Sequence, residues 1–550
     1  MLSVAYSLNK GQVFQRIHNW SFIGFLCLYV FSCNNKDIFN ITDFGARPDG
    51  KTTCTEAINK AITSCHDHGG GTVIVPTGTF ITGTIILLSD VTLHLESGAE
   101  LLGSTDTSDY LVMNNAYFNE GYNRYGLIYA GEARNIAITG TGTLNGNGTH
   151  FMNGIDKPHM GGYDFDRNYI RQREEFMKEG TIFEDGPVSY DFRPGMLVVL
   201  QACEEILIRD VHFKDSPEWT MRISDCEDVT ISGITIQNNQ LIPNSDGIHC
   251  TASRNICISD CNIVAGDDAI IVTGFGYGPT PQEIAESGKV PVVGNKTGWA
   301  ENVTVTNCVL SSRSACIRVG YGRNPIRNLV FSNLVMYASN RGIGVFSRNN
   351  SSIENVLFSN IIINNRLHSG HWWGKGEPVH ISAIKDTENG NPGRICNIRF
   401  SNLVMKSETG ILIWGDPQSI IEDVSFDRIT LTINRGKFTD QYGGNFDLRP
   451  AYPLKKAVFK HDIPALYACY VKNLRIEGFE LDWGHDLPPF FTYGIEAEHF
   501  HDVAIEEFRG SPAPEARQLA AIRLSDGMGA ELKDCKNLSG SPLVMKTNVK

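Results

Sequence analysis

No low-complexity tract interrupts the 550 residues, no CxxC pair occurs among the 14 cysteines, and the 48 basic residues are outnumbered by 61 acidic ones. The first absence excludes a largely disordered chain. The second removes zinc-ribbon and dithiol-redox signatures; with no small-domain disulfide spacing either, the cysteines are expected as small buried fillers. The third, a net charge of −13, sets up a field that repels nucleic acid and anionic membrane surfaces. It does not exclude an anionic sugar, because a cleft can hold local arginines within a Debye length. Tryptophan signatures at ~40-residue intervals, the mark of a propeller, are missing as well.

The first 32 residues contain Lys10 and Arg16 but no acidic residue, so their removal takes the net charge from −13 to −15. Within them Trp20 to Ser32 is apolar and too short for a membrane span of ~20 residues; it sits where a secretory leader belongs. Val30-Phe31-Ser32 before Cys33 resembles a lipoprotein cleavage box, which would leave Cys33 as a lipidated N-terminus. An ordinary cleaved leader is the alternative. Export follows in both cases, to the periplasm or cell surface as a lipoprotein or otherwise as a secreted protein. Residues 33–40 are then a linker.

A hydrophobic content of 41% and 54 glycines describe a chain that buries a large core. That core is periodic. A polar residue, then Asn or Asp, then an alternating β-branched run recurs at Arg134, Glu204, Glu227, Arg254, Glu301, Arg327, Glu354, Cys396, Glu422 and Lys472. From Glu204 the starts are separated by 23, 27, 47, 26, 27, 42, 26 and 50 residues: one turn each, or about two turns, or a turn with a long loop. Alternation over five to eight positions is strand periodicity, and one such strand cannot bury its apolar face alone. Stacking the copies gives an all-β, right-handed parallel β-helix over residues 41–550. Thr55 to His66 reads as a short amphipathic helix, ended by Gly69-Gly70-Gly71, that caps the open end. Residues 151–192, 274–299 and 437–464 lack the repeat and are expected as loop insertions that wall a cleft.

The chemistry-bearing residues are concentrated in Pro243-Asn244-Ser245-Asp246-Gly247-Ile248-His249 and Gly266-Asp267-Asp268-Ala269-Ile270. Asp246 and Asp268 are 22 residues apart, about one turn, so stacking places them on one face. Gly266 permits a bend at which Asp267 could face outward beside them. Three crowded carboxylates raise at least one pKa, giving a protonated acid beside ionised bases, the equipment for hydrolysing a glycosidic bond. A coil spacing plus side-chain reach is on the order of 6.5 to 9.5 Å between acid and base, which predicts inversion. Calcium binding or a simple turn cluster is the competing reading.

These motifs resemble glycoside hydrolase family 28, the polygalacturonase family: the start ITDFGARPDG, SPEWT at Ser216 to Thr220, NSDGIH for its NTDG motif and GDDAI for its GDD motif. The resemblance spans roughly residues 41 to 430. It implies that Asp267 is the general acid and that Asp246 and Asp268 position and activate the water. Two family motifs are missing. Gly-His-Gly should fall near Ser311 to Gly320, which reads SSRSACIRVG, and Arg-x-Lys, the galacturonate-carboxylate grip, near Gly342 to Ser347, which reads GIGVFS. This points away from ordinary polygalacturonate and towards another plant cell-wall or pectin-like glycan.

Replacement substrate contacts are expected from Arg318, Arg341 and Arg348 on successive coils, with Asn244 and His249 beside the aspartates. The aromatic break at His371-Trp372-Trp373 through Glu377 is read as a subsite in which Trp372 stacks on a sugar. No cofactor and no metal are expected, the partner is a poly- or oligosaccharide, and a monomer is expected. Membrane contact is limited to a lipid anchor at Cys33. A β-helix polysaccharide lyase and a non-catalytic glycan-binding β-helix are the alternatives.

Overall fold

The computed structural model describes residues 37–111, 126–154, 184–275, 298–370, 372–453 and 457–550. The expected leader and Cys33 lie outside the described residues, as do 155–183 and 276–297 of two expected insertions.

Thirty-six strands are joined by parallel pairing into one continuous coil, a parallel β-helix. Ile206, Val229, Ile256, Val303, Leu329, Val356, Ile398, Val424, Leu474 and Val503 occupy one register position on successive strands and line the interior. Arg254–Ser259 pairs directly with Ala300–Thr306, and Ile421–Ile433 directly with Leu466–Trp483. The 47- and 50-residue intervals are therefore single turns carrying insertions.

The repeated Asn or Asp has a conformational cause. Asn255, Asn302, Asn328, Asn355 and Asn397 have φ of 57°, 59°, 59°, 58° and 54°, the left-handed region that asparagine tolerates better than other residues with a side chain. Each turns the coil at a corner, and the side-chain amides of the last four each donate to the Asn one turn below at 2.7–3.2 Å, while that of Asn255 donates to Asp228 at 3.0 Å. Inside, Phe331, Phe358, Phe400 and Phe426 stack with centroids 5.0, 4.9 and 4.7 Å apart. Truncating one, such as Phe358→Ala, costs about 3–5 kcal/mol because neighbours in a stack cannot collapse into the cavity.

The cap forms as the helix Thr55–Asp67, burying Ile58, Ala61, Ile62 and Cys65. The coil starts earlier than the sequence suggests: Asp37–Asn40, within the expected linker, is a strand paired with Gly71–Val75. It was missed because four residues carry no repeat; its hold comes from Phe39, packed on Phe44 and His68. Beyond Trp483 the coil continues through Ile495–Glu506, Ile522–Lys533 and Val544–Val549. Every described cysteine is outside any disulfide, and all but Cys257 and Cys535 are buried. Insertion 437–464 folds into a turn of helix, Thr439–Tyr442, and an antiparallel hairpin, Asn445–Asp447 with Val458–Lys460.

Candidate active site

Four strands make the floor: Met221–Ser224, Ile248–Thr251, Ile270–Gly274 and Ala315–Gly322, paired in that order. Ile223, Cys250, Val272 and Val319 enter the core. By the period of two, their neighbours Arg222, His249, Ile271 and Arg318, which share one register row, project from the outer face.

Asp246 and Asp268 precede two of these strands. The Gly247 N–H donates to the Asp268 carbonyl and the Ile248 N–H to the Ala269 carbonyl, both at 2.9 Å. The two aspartates therefore sit opposite each other on consecutive turns, ~4.8 Å apart along the stack. Asp267 joins them. Gly266 is required there by close approach, since a Cβ would come within 2.3 Å of Ser245 Oγ and 2.6 Å of the Ile242 carbonyl. All three aspartates are buried, at 3%, 7% and 5% exposure in sequence order.

Burial drives the Asp246 carboxyl well above its ordinary pKa, and the charges of Asp267 and Asp268 push it further; Arg318 opposes them. Asp268 is held on both oxygens: Arg318 Nε lies 2.6 Å from Oδ2, and the Ala315 N–H donates to Oδ1 at 2.8 Å. Ser312 Oγ donates to the Asp267 carbonyl at 2.6 Å. The segment expected to carry Gly-His-Gly thus supplies a hydroxyl, a backbone N–H and the Arg318 guanidinium. Burial and the two neighbouring carboxylates thus favour a proton on Asp246, against the pull of Arg318.

His249 is buried, stacked on Trp219 at 3.8 Å, with Nδ1 3.5 Å from Asp246 Oδ2 and Nε2 3.4 Å from Thr273 Oγ1. Burial and the charges of Arg318 and Arg222 hold its pKa well below the usual range, so the ring is neutral. It orients Asp246 and is not accessible to a sugar. Asn244, half-buried with φ 53°, accepts from Arg193 Nη2 at 3.0 Å.

The remaining expected contacts do not face the aspartates openly. Arg341 is 2% exposed, with Nη2 3.3 Å from Glu377 Oε1. Glu377 also accepts from the Lys375 N–H and lies 3.6 Å from His380 Nδ1. Burial raises its pKa, but Arg341 and His380 outweigh that and hold it at about 2. Arg348 is fully buried and donates to the carbonyls of Pro450, Ser347 and Ser382 and to Ser382 Oγ. Trp372, 2% exposed, donates to the Asp185 carbonyl at 3.0 Å and offers no face to a sugar. The roles expected for Arg341, Arg348, Trp372 and Glu377 as direct sugar contacts are therefore corrected to a structural network. The physical reason is insertion 437–464: Pro450 receives Arg348, Arg449 donates to the Trp372 carbonyl, and Asp447 receives the Gly374 N–H. Sequence cannot say where an insertion lands.

Sequence reading missed Glu218, Arg222 and Tyr321. Glu218, buried beside Arg193 with a 3.6 Å ion pair, acts on Asp246 through its charge. The Tyr321 ring lies 4.7 Å from the Arg318 guanidinium and fixes it. Arg222 was recoverable by aligning the repeats, which puts it one turn from His249. Among the described residues no three His, Cys, Asp or Glu side chains converge as metal ligands would.

The fold and this carboxylate cluster define a parallel β-helix that carries an acidic cluster on its outer sheet face. Residues 189–277, which contain all three aspartates, match the family model for Glycosyl hydrolases family 28. It is 28% identical over 355 residues to an exo-poly-alpha-D-galacturonosidase of Dickeya chrysanthemi, covering 56% of this chain and 58% of that one. A probable polygalacturonase of Vitis vinifera is 29% identical over 311 residues, covering 52% and 57%. The chain thus spans less than two thirds of the length of these relatives. The family 28 exopolygalacturonase structure of Yersinia enterocolitica superposes with a TM-score of 0.60 at 20% identity, covering 85% of this chain and 78% of that one; it shares the fold.

Proposed function

We propose that the chain hydrolyses a glycosidic bond in a pectic, galacturonate-containing polysaccharide with inversion at the anomeric carbon. The observation that carries this reading is the cluster of Asp246, Asp267 and Asp268 on one outer face, in which burial and the two neighbouring carboxylates raise Asp246, with Arg318 against Asp268. Asp267 gives a proton to the leaving oxygen. Asp268 and Asp246 hold a water whose oxygen attacks the anomeric carbon as the glycosidic bond breaks, and the water's proton returns to the carboxylates. The relatives' names supply the substrate class. Arg318 offers a cation beside the aspartates, and with Gly-His-Gly and Arg-x-Lys missing from the sequence a substrate with sparse or esterified carboxylates fits this cleft better than a fully charged one. Export through the leader at 1–32 belongs to the same proposal.

The test is hydrolysis of a panel of pectic polysaccharides with proton NMR of the first-formed anomer, using wild type and Asp267→Asn. Inverted product in chelator, lost in the variant, is expected. An unsaturated product absorbing in the ultraviolet would make the protein a lyase. Product release unchanged by Asp267→Asn would overturn the assignment.

A further inference from the structure

A second concave site lies on the same outer sheet face, four to six turns further along the coil than the strand that follows Asp268. Arg318, Gly344, His380, Leu412, Tyr467 and Glu496 continue the register row that begins with His249 and Ile271. The adjacent outward row runs through Phe346, Ser382, Trp414, Cys469 and Glu498. At ~4.8 Å per turn the second site begins ~20 Å from the aspartates, and the buried Arg341–Glu377–Arg348 network lies between them.

This site is a cavity of about 360 Å3 whose walls include Trp414, Phe459, Tyr467, Tyr470, Lys385 and Glu498. Cavities that hold small ligands start at ~300 Å3, enough here for one or two sugar rings. Its aromatic wall is rigid. Trp414 packs against Phe459 at 4.7 Å and Tyr467 at 5.9 Å, while Tyr470 is backed by His499 at 4.7 Å with the rings 10° apart. The polar groups at its edge are already oriented: Glu498 accepts from Tyr467 Oη at 3.1 Å and from Arg523 Nη1 at 2.6 Å, and Lys385 Nζ donates to the Glu388 carbonyl at 3.2 Å. Arg523 holds Glu498 in its ionised form despite burial.

From this we infer a non-catalytic subsite for an uncharged sugar ring, the kind found in a neutral oligosaccharide or in a neutral side chain of a larger polymer. Flat aromatic faces match the C–H faces of a pyranose or furanose. Glu498 and Asp416 at the rim accept hydroxyl protons. The lining brings two carboxylates and one lysine, and Arg523 pairs with Glu498, so the charges offset one another, as suits an uncharged ring, in contrast to the arginine-bearing cleft. Phe459 comes from insertion 437–464, so the segment that covers Arg348 and Trp372 also builds this wall.

The inference does not require the hydrolytic reading, and binding can be measured without turnover. In Asp267→Asn protein, isothermal titration calorimetry with β-1,4-galactotriose and α-1,5-arabinotriose is compared with trigalacturonate. At least one neutral trisaccharide should bind, and Tyr470→Ala or Trp414→Leu should weaken it at least tenfold while melting temperature and hydrolysis by the otherwise wild-type chain stay unchanged. Should Trp414→Leu fail to fold, Tyr470→Ala alone decides, because Tyr470 is half-exposed. No binding of either neutral sugar, or binding that both variants retain, overturns the subsite and leaves the hydrolase reading standing. Hydrolysis that Asp267→Asn retains, with this binding intact, has the opposite consequence.

Discussion

Two clusters of buried charge lie along one face of the coil, and they differ in balance. Around Asp246, Asp267 and Asp268, burial first and then the neighbouring carboxylates push Asp246 up in pKa, while Arg318 lies against Asp268. Two to three turns on, Arg341 meets Glu377, and Arg449 meets Asp447 at 2.7 Å. The second cluster is more deeply buried, with Arg348 and Asp447 at 0% exposure, yet each of its two carboxylates faces a guanidinium, and Glu377 is held low. Burial and charge by themselves therefore do not mark a reaction centre. A carboxyl raised by its neighbours sets the first cluster apart, because it is the group that can hold a proton for transfer.

The largest effect that would sharpen this contrast is Asp267→Asn. Hydrolysis should fall by ~10²–10⁴-fold, the usual worth of a positioned acid, with an unchanged melting temperature; an equal loss of stability would erase the distinction between the clusters. Glu377→Gln is the reverse case. It leaves Arg341 buried without its anion and should cost about 3–5 kcal/mol in urea unfolding, while the rate per folded molecule holds.

Acid should act on the matched cluster through His380, which is fully buried. Burial, reinforced by Arg341, depresses its pKa to about 4, against ~6.5 when unfolded. The unfolded chain then binds the extra proton, so stability present above pH ~6.5 is lost as pH falls towards 4, by about 3 kcal/mol. Urea melts at pH 7 and pH 4.5 should show this slope shrinking in His380→Gln; an unchanged slope would assign it to other groups, such as His368, also depressed to about 4. The smallest effect is Arg318→Gln. Removing the cation that lowers Asp246 raises the carboxylates further, so the acid limb of the pH–rate profile should move up by roughly one unit, ~1.4 kcal/mol. A limb that stays in place would show that Arg318 does not tune the cluster.

Much of this was readable beforehand for a reason specific to repeats. A one-turn pairing turns sequence distance into position, so Asp246 and Asp268 could be placed side by side from a spacing of 22, and Asn255 or Asn302 recognised as corner residues. Trp372 and Glu377 could not be placed that way. They flank the turn on which insertion 437–464 comes to rest, and nothing in the spacing tells whether such a segment uncovers or buries them. Asp37–Asn40 escaped notice because four residues are too few to display a period.

The sequence by itself determined the coil, its cap and the meeting of three aspartates, since strand alternation and in-register stacking are local rules repeated many times. The tertiary structure alone decided which arginine reaches the acids, which tryptophan is sealed beneath an insertion, and where a second aromatic hollow opens. Those outcomes depend on where non-repeating segments settle against the sheet, and that is fixed by side-chain contacts between residues up to about a hundred positions apart, such as Arg348 with Pro450.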